Sequence, residues 1–255
     1  MNITLIGAGN LATQLGQALH EKGHSFLQVY SRTISSAESL AEKLGSEAAT
    51  IPERIRDGAD LYICALKDDA IDEVLSHVHF GHGLYVHTAG SLPMSVLEKY
   101  TPNHGVLYPL QTFSKSRKID FSVIPVFIET ALPESQSVLM ELASSLSDNV
   151  RVLSSEKRIY LHLSAVFANN FVNHLYFIAG DLLKEHDIDF KDLLPLIDET
   201  ARKVHYLDPS EAQTGPAIRF DKGIIGKHLK MLEAHPGWAN LYEEMSIDIH
   251  KNAKK

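Results

Sequence analysis

Short apolar runs alternate with amphipathic stretches over the first 150 residues, and only amphipathic stretches follow. Residues 2–6, Asn-Ile-Thr-Leu-Ile, read as a short buried strand. Over 11–22 the apolar positions Leu11, Leu15, Ala18 and Leu19 have helical spacing, and Gly23 suits the helix end. Residues 26–30 form a second strand, so strand, glycine turn, helix and strand make one βαβ unit. The alternation predicts further helices over 35–44, 70–77 and 135–146, with strands over 61–66, 84–88, 106–107 and 123–128. Nearly continuous apolar strands separated by helices predict an α/β domain with a mostly parallel sheet covered on both faces. From 156 to about 185 the pattern is one long apolar-rich helix, and 192–203, 216–234 and 240–252 read as helices with no strand among them. The predicted division is therefore an α/β domain, 1–152, and an all-α domain, 153–255.

The turn after the first strand, Gly7-Ala-Gly-Asn-Leu-Ala12, fits the G-x-G-x-x-G/A fingerprint of a Rossmann dinucleotide site. Gly7 permits the tight turn, Gly9 lets the backbone approach a pyrophosphate, and Ala12 lets the helix pack on the strand. The N–H groups of Asn10, Leu11 and Ala12 at the helix N-terminus then face the phosphates. The pattern alone is weak; between a strand and a helix in a βαβ unit it is strong. The second strand ends Tyr30-Ser-Arg-Thr33 without the acid that holds an NAD ribose. Ser31 and Thr33 offer hydroxyls, and Arg32 offers a fork suited to a 2′-phosphate, its alternative being a solvated surface arginine. NADP(H) is the expected cofactor, with NAD(H) second and a flavin behind both.

In open α/β sheets ligands sit beyond the carboxyl ends of the strands. Those ends carry Ala65-Leu-Lys-Asp-Asp69, His87-Thr-Ala-Gly-Ser91 and Tyr108-Pro-Leu-Gln-Thr112. Leu66 is the expected cofactor neighbour there, and Thr88 and Gln111 the expected contacts of a small polar substrate.

Composition narrows the alternatives. With 255 residues, 44% hydrophobic and 22% charged, the chain can bury a real core. A formal charge of −8, with no basic run before the tail 251–255, argues against a nucleic-acid or anionic-membrane partner. Cys64, inside the apolar run 61–66, has no partner for an internal disulfide and reads as a core side chain. With no apolar stretch of membrane-spanning length and no signal-peptide pattern, a cytoplasmic protein is expected. His77, His79, His82 and His87 cluster, but no carboxylate or thiol completes a metal-ligand pattern.

The helical half carries polar signals of its own. On a regular helix His162, Asn169 and Asn173 fall within about 40° on one face. Such a stripe serves either helix–helix hydrogen bonding or a substrate at the nicotinamide end of the cleft. Gln213-Thr-Gly-Pro-Ala-Ile-Arg-Phe-Asp221 offers Pro216 at a first helical position, with Thr214 or Gly215 as cap and Arg219 nearby. It reads either as a well-capped helix or as a seat for a carboxylate or phosphate.

These motifs carry a family resemblance across essentially the whole chain. Gly7-Ala-Gly-Asn-Leu-Ala12, Tyr108-Pro-Leu-Gln-Thr-Phe-Ser114, Ser164-Ala-Val-Phe-Ala-Asn-Asn170 and Thr214-Gly-Pro-Ala-Ile-Arg219 are similar to those of Rossmann-like NADP oxidoreductases with an uncharacterised helical C-terminal domain. These are relatives of the pyrroline-5-carboxylate reductase and 6-phosphogluconate dehydrogenase superfamily. The resemblance implies an NADPH-dependent reductase with its site between the domains, a homodimer joined through the helical halves, and ketopantoate among the keto acids to test. Related β-hydroxyacid dehydrogenases place a Lys four residues before an Asn on the long helix; here Ala165 and Val166 precede Asn169 and Asn170 at that distance. Arg219-Phe-Asp221 also replaces the more usual Arg-Gly-Asp. Asn169 and Asn173 are expected to orient the substrate, and Thr214 and Arg219 to bind it. His162, His87 and solvent remain the alternatives for the proton donor. The competing readings are a non-catalytic dimeric NADP(H)-binding sensor and a dehydrogenase oxidising a 3-hydroxy acid.

Overall fold

A computed structural model describes residues 1–253; Lys254 and Lys255, the end of the basic tail, lie outside the described residues. The strands are β1 (Asn2–Ile6), β2 (Ser25–Tyr30), β3 (Glu47–Ala49), β4 (Leu61–Cys64), β5 (Leu84–His87), β6 (His104–Pro109), β7 (Val126–Thr130) and β8 (Val150–Val152). They form one sheet in the order β3-β2-β1-β4-β5-β6-β7-β8. All neighbours pair parallel except β6 and β7, which run antiparallel. The order reverses between β1 and β4, which places the ligand crevice of this sheet class at their carboxyl ends. β4 and β5 are buried at every position, and β1 from Ile3 onward, which is why they read as unbroken apolar runs.

Helices α1 (Asn10–Glu21), α2 (Ile34–Leu44), α3 (Ala70–Leu75) and α4 (Pro133–Leu146) cover the sheet. One side packs Ile3, Leu5, Leu15, Leu19 and Leu44 with Leu139 and Leu142. The other packs Ile6, Tyr62, Ile71, Leu75, Tyr85 and Leu97, with Tyr62 and Tyr85 stacked at 4.2 Å. These contacts bear out the α/β reading of the first half.

Three differences from the sequence pattern have physical causes. β3 and β8 are three residues each, and β8 is half-exposed, so neither leaves a periodic apolar signature. β6 is longer than two residues because its buried positions include His104 and Gly105; the His104 Nδ1 is satisfied by the Thr101 carbonyl at 2.8 Å. The long helix is not uniform: α5 (Ser155–Ala165) passes through a π-helical segment, Val166–Phe171, into α6 (Val172–Lys184).

Strands end at Val152, but the first compact unit runs to Asn169 and the second begins at Asn170. The division falls late because α5 belongs to the sheet: Arg158 and His162 bond to groups on β7 and β6. The second unit holds α6, α7 (Leu194–Lys203), α8 (Pro209–Ala212), α9 (Pro216–Arg219), α10 (Lys222–Met231) and α11 (Pro236–Asn252). The helix expected over 216–234 is thus two, broken where Phe220 adopts φ +52°. No helix among the described residues is long and apolar enough to cross a membrane.

Candidate active site

The glycine turn is built for close approach on both sides. Gly7 has φ +123°, and a Cβ there would overlap the Ala65 carbonyl oxygen at the end of β4. Its N–H donates to Tyr30 O at 2.8 Å, and Ala65 N–H donates to Ile6 O at 2.8 Å, so the turn is fixed to both neighbouring strands. Gly9 differs. It caps α1 with φ −78°, and a Cβ there meets nothing within 4 Å, so neither backbone nor packing demands glycine. What its missing side chain leaves is room above the helix end.

Thr13 N–H bonds to Gly9 O at 3.0 Å, which leaves the N–H groups of Asn10, Leu11 and Ala12 directed out of the end of α1. The first turn holds no acidic residue and no side-chain cap. That end therefore presents donors unpaired among the described residues, and the positive pole of the helix, to an anion. Asn10 Nδ2 donates to Phe113 O at 3.0 Å and Gln14 Nε2 to Ser114 O at 2.8 Å, tying the segment after β6 across the turn. Ala12 is wholly buried against the sheet.

Beyond β2, Ser31 N–H donates to Ala49 O at 3.0 Å. Arg32 is mostly exposed, and Glu73, 4.0 Å away and as exposed, holds it loosely. Thr33 occupies the cap position of α2, its hydroxyl 3.4 Å from Ser36 Oγ and making no bond to the helix backbone. A loosely held guanidinium, several hydroxyls and the start of a helix thus lie together beyond the end of β2. Leu66 is half-buried and packs against the core cluster that contains Ile6 and Tyr30.

At the ends of β5 and β6 three residues from separate elements meet. The Tyr108 hydroxyl on β6 lies 3.0 Å from His162 Nδ1 on α5, with the rings edge-to-face at 75°. Gly90, past the end of β5, lies against both: a Cβ there would stand 2.5 Å from His162 Nδ1 and 2.8 Å from the Tyr108 oxygen. One turn earlier on α5, Arg158 is fully buried and pairs with Glu129 at 2.8 Å; it also donates to the Leu92 carbonyl, and to Ser155 Oγ at 3.3 Å. Burial pushes the Glu129 carboxyl up, but hydrogen bonds from Ser155 and Arg158 outweigh it and the net shift is downward. The ion pair is therefore intact at neutral pH.

The chain has counterparts among known proteins. Residues 2–88 match the family described as NADP oxidoreductase, coenzyme F420-dependent, and residues 124–249 match the domain of unknown function DUF2520. Over 98% of both chains the protein is 51% identical to BF3122 of Bacteroides fragilis, a crystal structure assigned as an NADP oxidoreductase, with a TM-score of 0.95. The chain belongs to this NADP oxidoreductase family. An imine reductase of Myxococcus stipitatus solved with NADP+ has the same fold (TM-score 0.70, 16% identity, covering 100% of this chain and 94% of that one). So does a 1-pyrroline-5-carboxylate reductase of Streptococcus pyogenes (0.64, 15%, 98% of both). A 65-residue stretch is 38% identical to the glutamyl-tRNA reductase of Pseudoalteromonas atlantica, but it spans 24% of this chain and 15% of that enzyme.

The remaining expected residues of the oxidoreductase fall in unlike surroundings. His87 is completely buried, its Nδ1 accepting from Ala89 N–H at 3.2 Å. Burial, then the nearby Arg158 charge, pulls its ring down to about 4. A ring neutral at pH 7 and sealed from solvent lacks the acidic proton of an imidazolium. Thr88 is also buried, its N–H on Cys64 O at 3.3 Å, and Gln111 is exposed with Oε1 turned back to Thr112 N–H. Asn169 lies in the π-helical segment and is exposed, and so is Asn173 on α6. A π turn departs from the 100° per residue of a regular helix, so the spacing worked out for a regular helix does not carry across this segment. In the second unit Gly215, not Thr214, caps the four-residue α9; Thr214 and Arg219 are exposed, and Asp221 accepts from Ile224 N–H rather than pairing with Arg219. Among the described residues no three His, Cys, Asp or Glu side chains are grouped to hold a metal ion.

Sequence reading gave no role to Gly90, Tyr108, Arg158 or Glu129. Arg158 had a usable signal, standing four residues before His162 on a helix and hence on its face. Glu129, on an edge-side strand, had none.

Proposed function

We propose that the oxidoreductase uses NADPH to reduce a C=O or C=N bond of a small carboxylate-bearing substrate, with His162 giving the proton. The observation carrying this reading is that His162, unlike His87, is a half-exposed imidazole bonded to Tyr108 at the carboxyl end of β6, on the same edge of the sheet as the β1 and β4 ends where this sheet class binds its ligand. The N–H groups of Asn10, Leu11 and Ala12 would hold the diphosphate, and Arg32 with Ser31 and Thr33 the 2′-phosphate. Bound NADPH supplies the hydride. The chain's own task is to align the acceptor, exclude competing water and deliver a proton at the rim. That an imine reductase and a pyrroline-5-carboxylate reductase share the fold supports testing C=N as well as C=O substrates.

The test is NADPH consumption, followed by absorbance, against a panel of 2-keto acids, ketopantoate included, and cyclic imines. Turnover of at least one is expected, with His162→Ala lowering kcat by about 10²- to 10⁴-fold. NADPH binding with total inactivity across the panel would overturn the reading in favour of a sensor. In the second unit, Arg219→Ala is expected to raise KM for carboxylate-bearing over neutral substrates.

We further propose a homodimer joined through the helical half. Of the described residues from 170 onward, only Ala217, Ile225, Leu232 and Ser246 are buried, while Leu196, Tyr206 and Met231 are more than 60% exposed. A helical unit so short of core has apolar surface to cover.

A further inference from the structure

We infer that Tyr108 and Gly90 are positioning residues that lock His162 in one ring orientation and one neutral tautomer, with Nδ1 accepting and Nε2–H directed away from the sheet. The inference rests on the proposed role of His162 as proton donor. It begins with the hydroxyl of Tyr108. Tyr108 is 7% exposed, and His162 Nδ1, at 3.0 Å, is its one hydrogen-bond partner among the described residues. If Nδ1 carried the proton in the neutral ring, it would donate to the tyrosine oxygen, and the buried O–H would be left without an acceptor. Leaving a buried donor unpaired is unfavourable by about 1–3 kcal/mol. With O–H donating to Nδ1, both groups are satisfied and the ring proton sits on Nε2. That nitrogen has no partner among the described residues.

A hydroxyl has a property that a carboxylate or a guanidinium in its place would lack. It donates to the neutral ring and, with its O–H turned away and left unpaired at the same cost, accepts from the imidazolium. The ring therefore keeps one position through a proton cycle. In the charged state Nδ1–H donates to the tyrosine oxygen and Nε2–H faces out. A proton leaving Nε2 for the substrate oxygen or nitrogen gives a neutral ring. Exchange with solvent, accompanied by rotation of the tyrosine O–H, restores the resting tautomer. A carboxylate partner would only accept, holding Nδ1–H in both states and raising the affinity of the ring for its proton.

Gly90 supplies the space. Its φ lies outside the range that favours glycine, so the side chain is missing for contact reasons alone. A methyl group would stand 2.5 Å from Nδ1, 2.6 Å from Cγ and 2.8 Å from the tyrosine oxygen, pressing on both partners from one side of their hydrogen bond. Residue 90 thus limits where the ring and the hydroxyl can lie.

Long-range ¹⁵N–¹H spectra of histidine-labelled protein, with His162→Gln providing the assignment, test this without any ligand. At alkaline pH, His162 in the wild type is expected as the Nε2–H tautomer alone. In Tyr108→Phe a mixture of both tautomers is expected, and Gly90→Ala is expected to shift the ring signals even if Tyr108→Phe does not fold. A wild-type ring found as Nδ1–H, or as a mixture, overturns the inference outright. So does a pure Nε2–H ring retained in Tyr108→Phe. With any carbonyl or imine that the wild type reduces, Tyr108→Phe is expected to lower kcat by about 10²-fold with KM little changed. If nothing is reduced, the functional reading fails while the spectra still decide the tautomer.

Discussion

Two histidines on the same rim behave in opposite ways, and the difference is one of surroundings. His87, interior and shifted down to about 4, stabilises the fold only while neutral. The unfolded chain takes up a proton near 6.5 and the folded chain resists until about 4, so between those values the unfolded state binds more protons. Stability is therefore expected to fall as pH drops through that window, by about 3 kcal/mol from this residue. His87→Asn, which keeps an acceptor for Ala89 N–H, should flatten the dependence of the urea midpoint on pH between 7 and 4; an unchanged slope would show that His87 is not responsible. Arg32 offers a second test. Its guanidinium is held only by a loose, exposed contact with Glu73, which leaves it available to a dianionic phosphate. Arg32→Ala is expected to weaken NADPH binding by about 10-fold or more and NADH binding little, as read by fluorescence titration.

Elements explain where regular patterns mislead. α9 ends on Phe220 in the left-handed region, a conformation that favours glycine and is unfavourable for a bulky residue by about 1–2 kcal/mol. The ring is held by stacking on His250, 4.4 Å between centroids, and by Lys222 above it at 5.5 Å. Phe220→Ala should lose the stacking and keep the strain, whereas Phe220→Gly loses the stacking and relieves it. Chemical denaturation should rank wild type above Gly and Gly above Ala, the last two differing by about 1 kcal/mol; equal variants would show that residue 220 bears no strain. Six of the eight strands, the glycine turn and the helical second half were legible because each repeats a period or carries a fixed local geometry. The π-helical segment was not, since Val166-Phe-Ala-Asn-Asn-Phe171 reads as well for an α-helix. The site was half legible for a related reason. His162 stood out as a polar residue in an apolar helix, but Tyr108 and Gly90 acquire meaning only when β5, β6 and α5 bring them together.

At the scale of the whole molecule the two compact units have unequal cores. The first buries both faces of an eight-stranded sheet. The second has four buried residues from 170 onward among those described, and it leaves Leu196 on α7, Tyr206 beyond it and Met231 on α10 in solvent. A set of helices with that little interior gains too little from apolar burial to offset its chain entropy unaided. Pairing with a second copy would bury these side chains, and folding would then be linked to association. The thermal midpoint is accordingly expected to rise with protein concentration, and sedimentation equilibrium to give twice the chain mass. Leu196→Asp combined with Tyr206→Asp, which places charge where apolar contact is needed, should shift the mass toward one chain and remove the concentration dependence. A wild-type protein of single-chain mass with a constant midpoint would show instead that the first unit's core suffices for both.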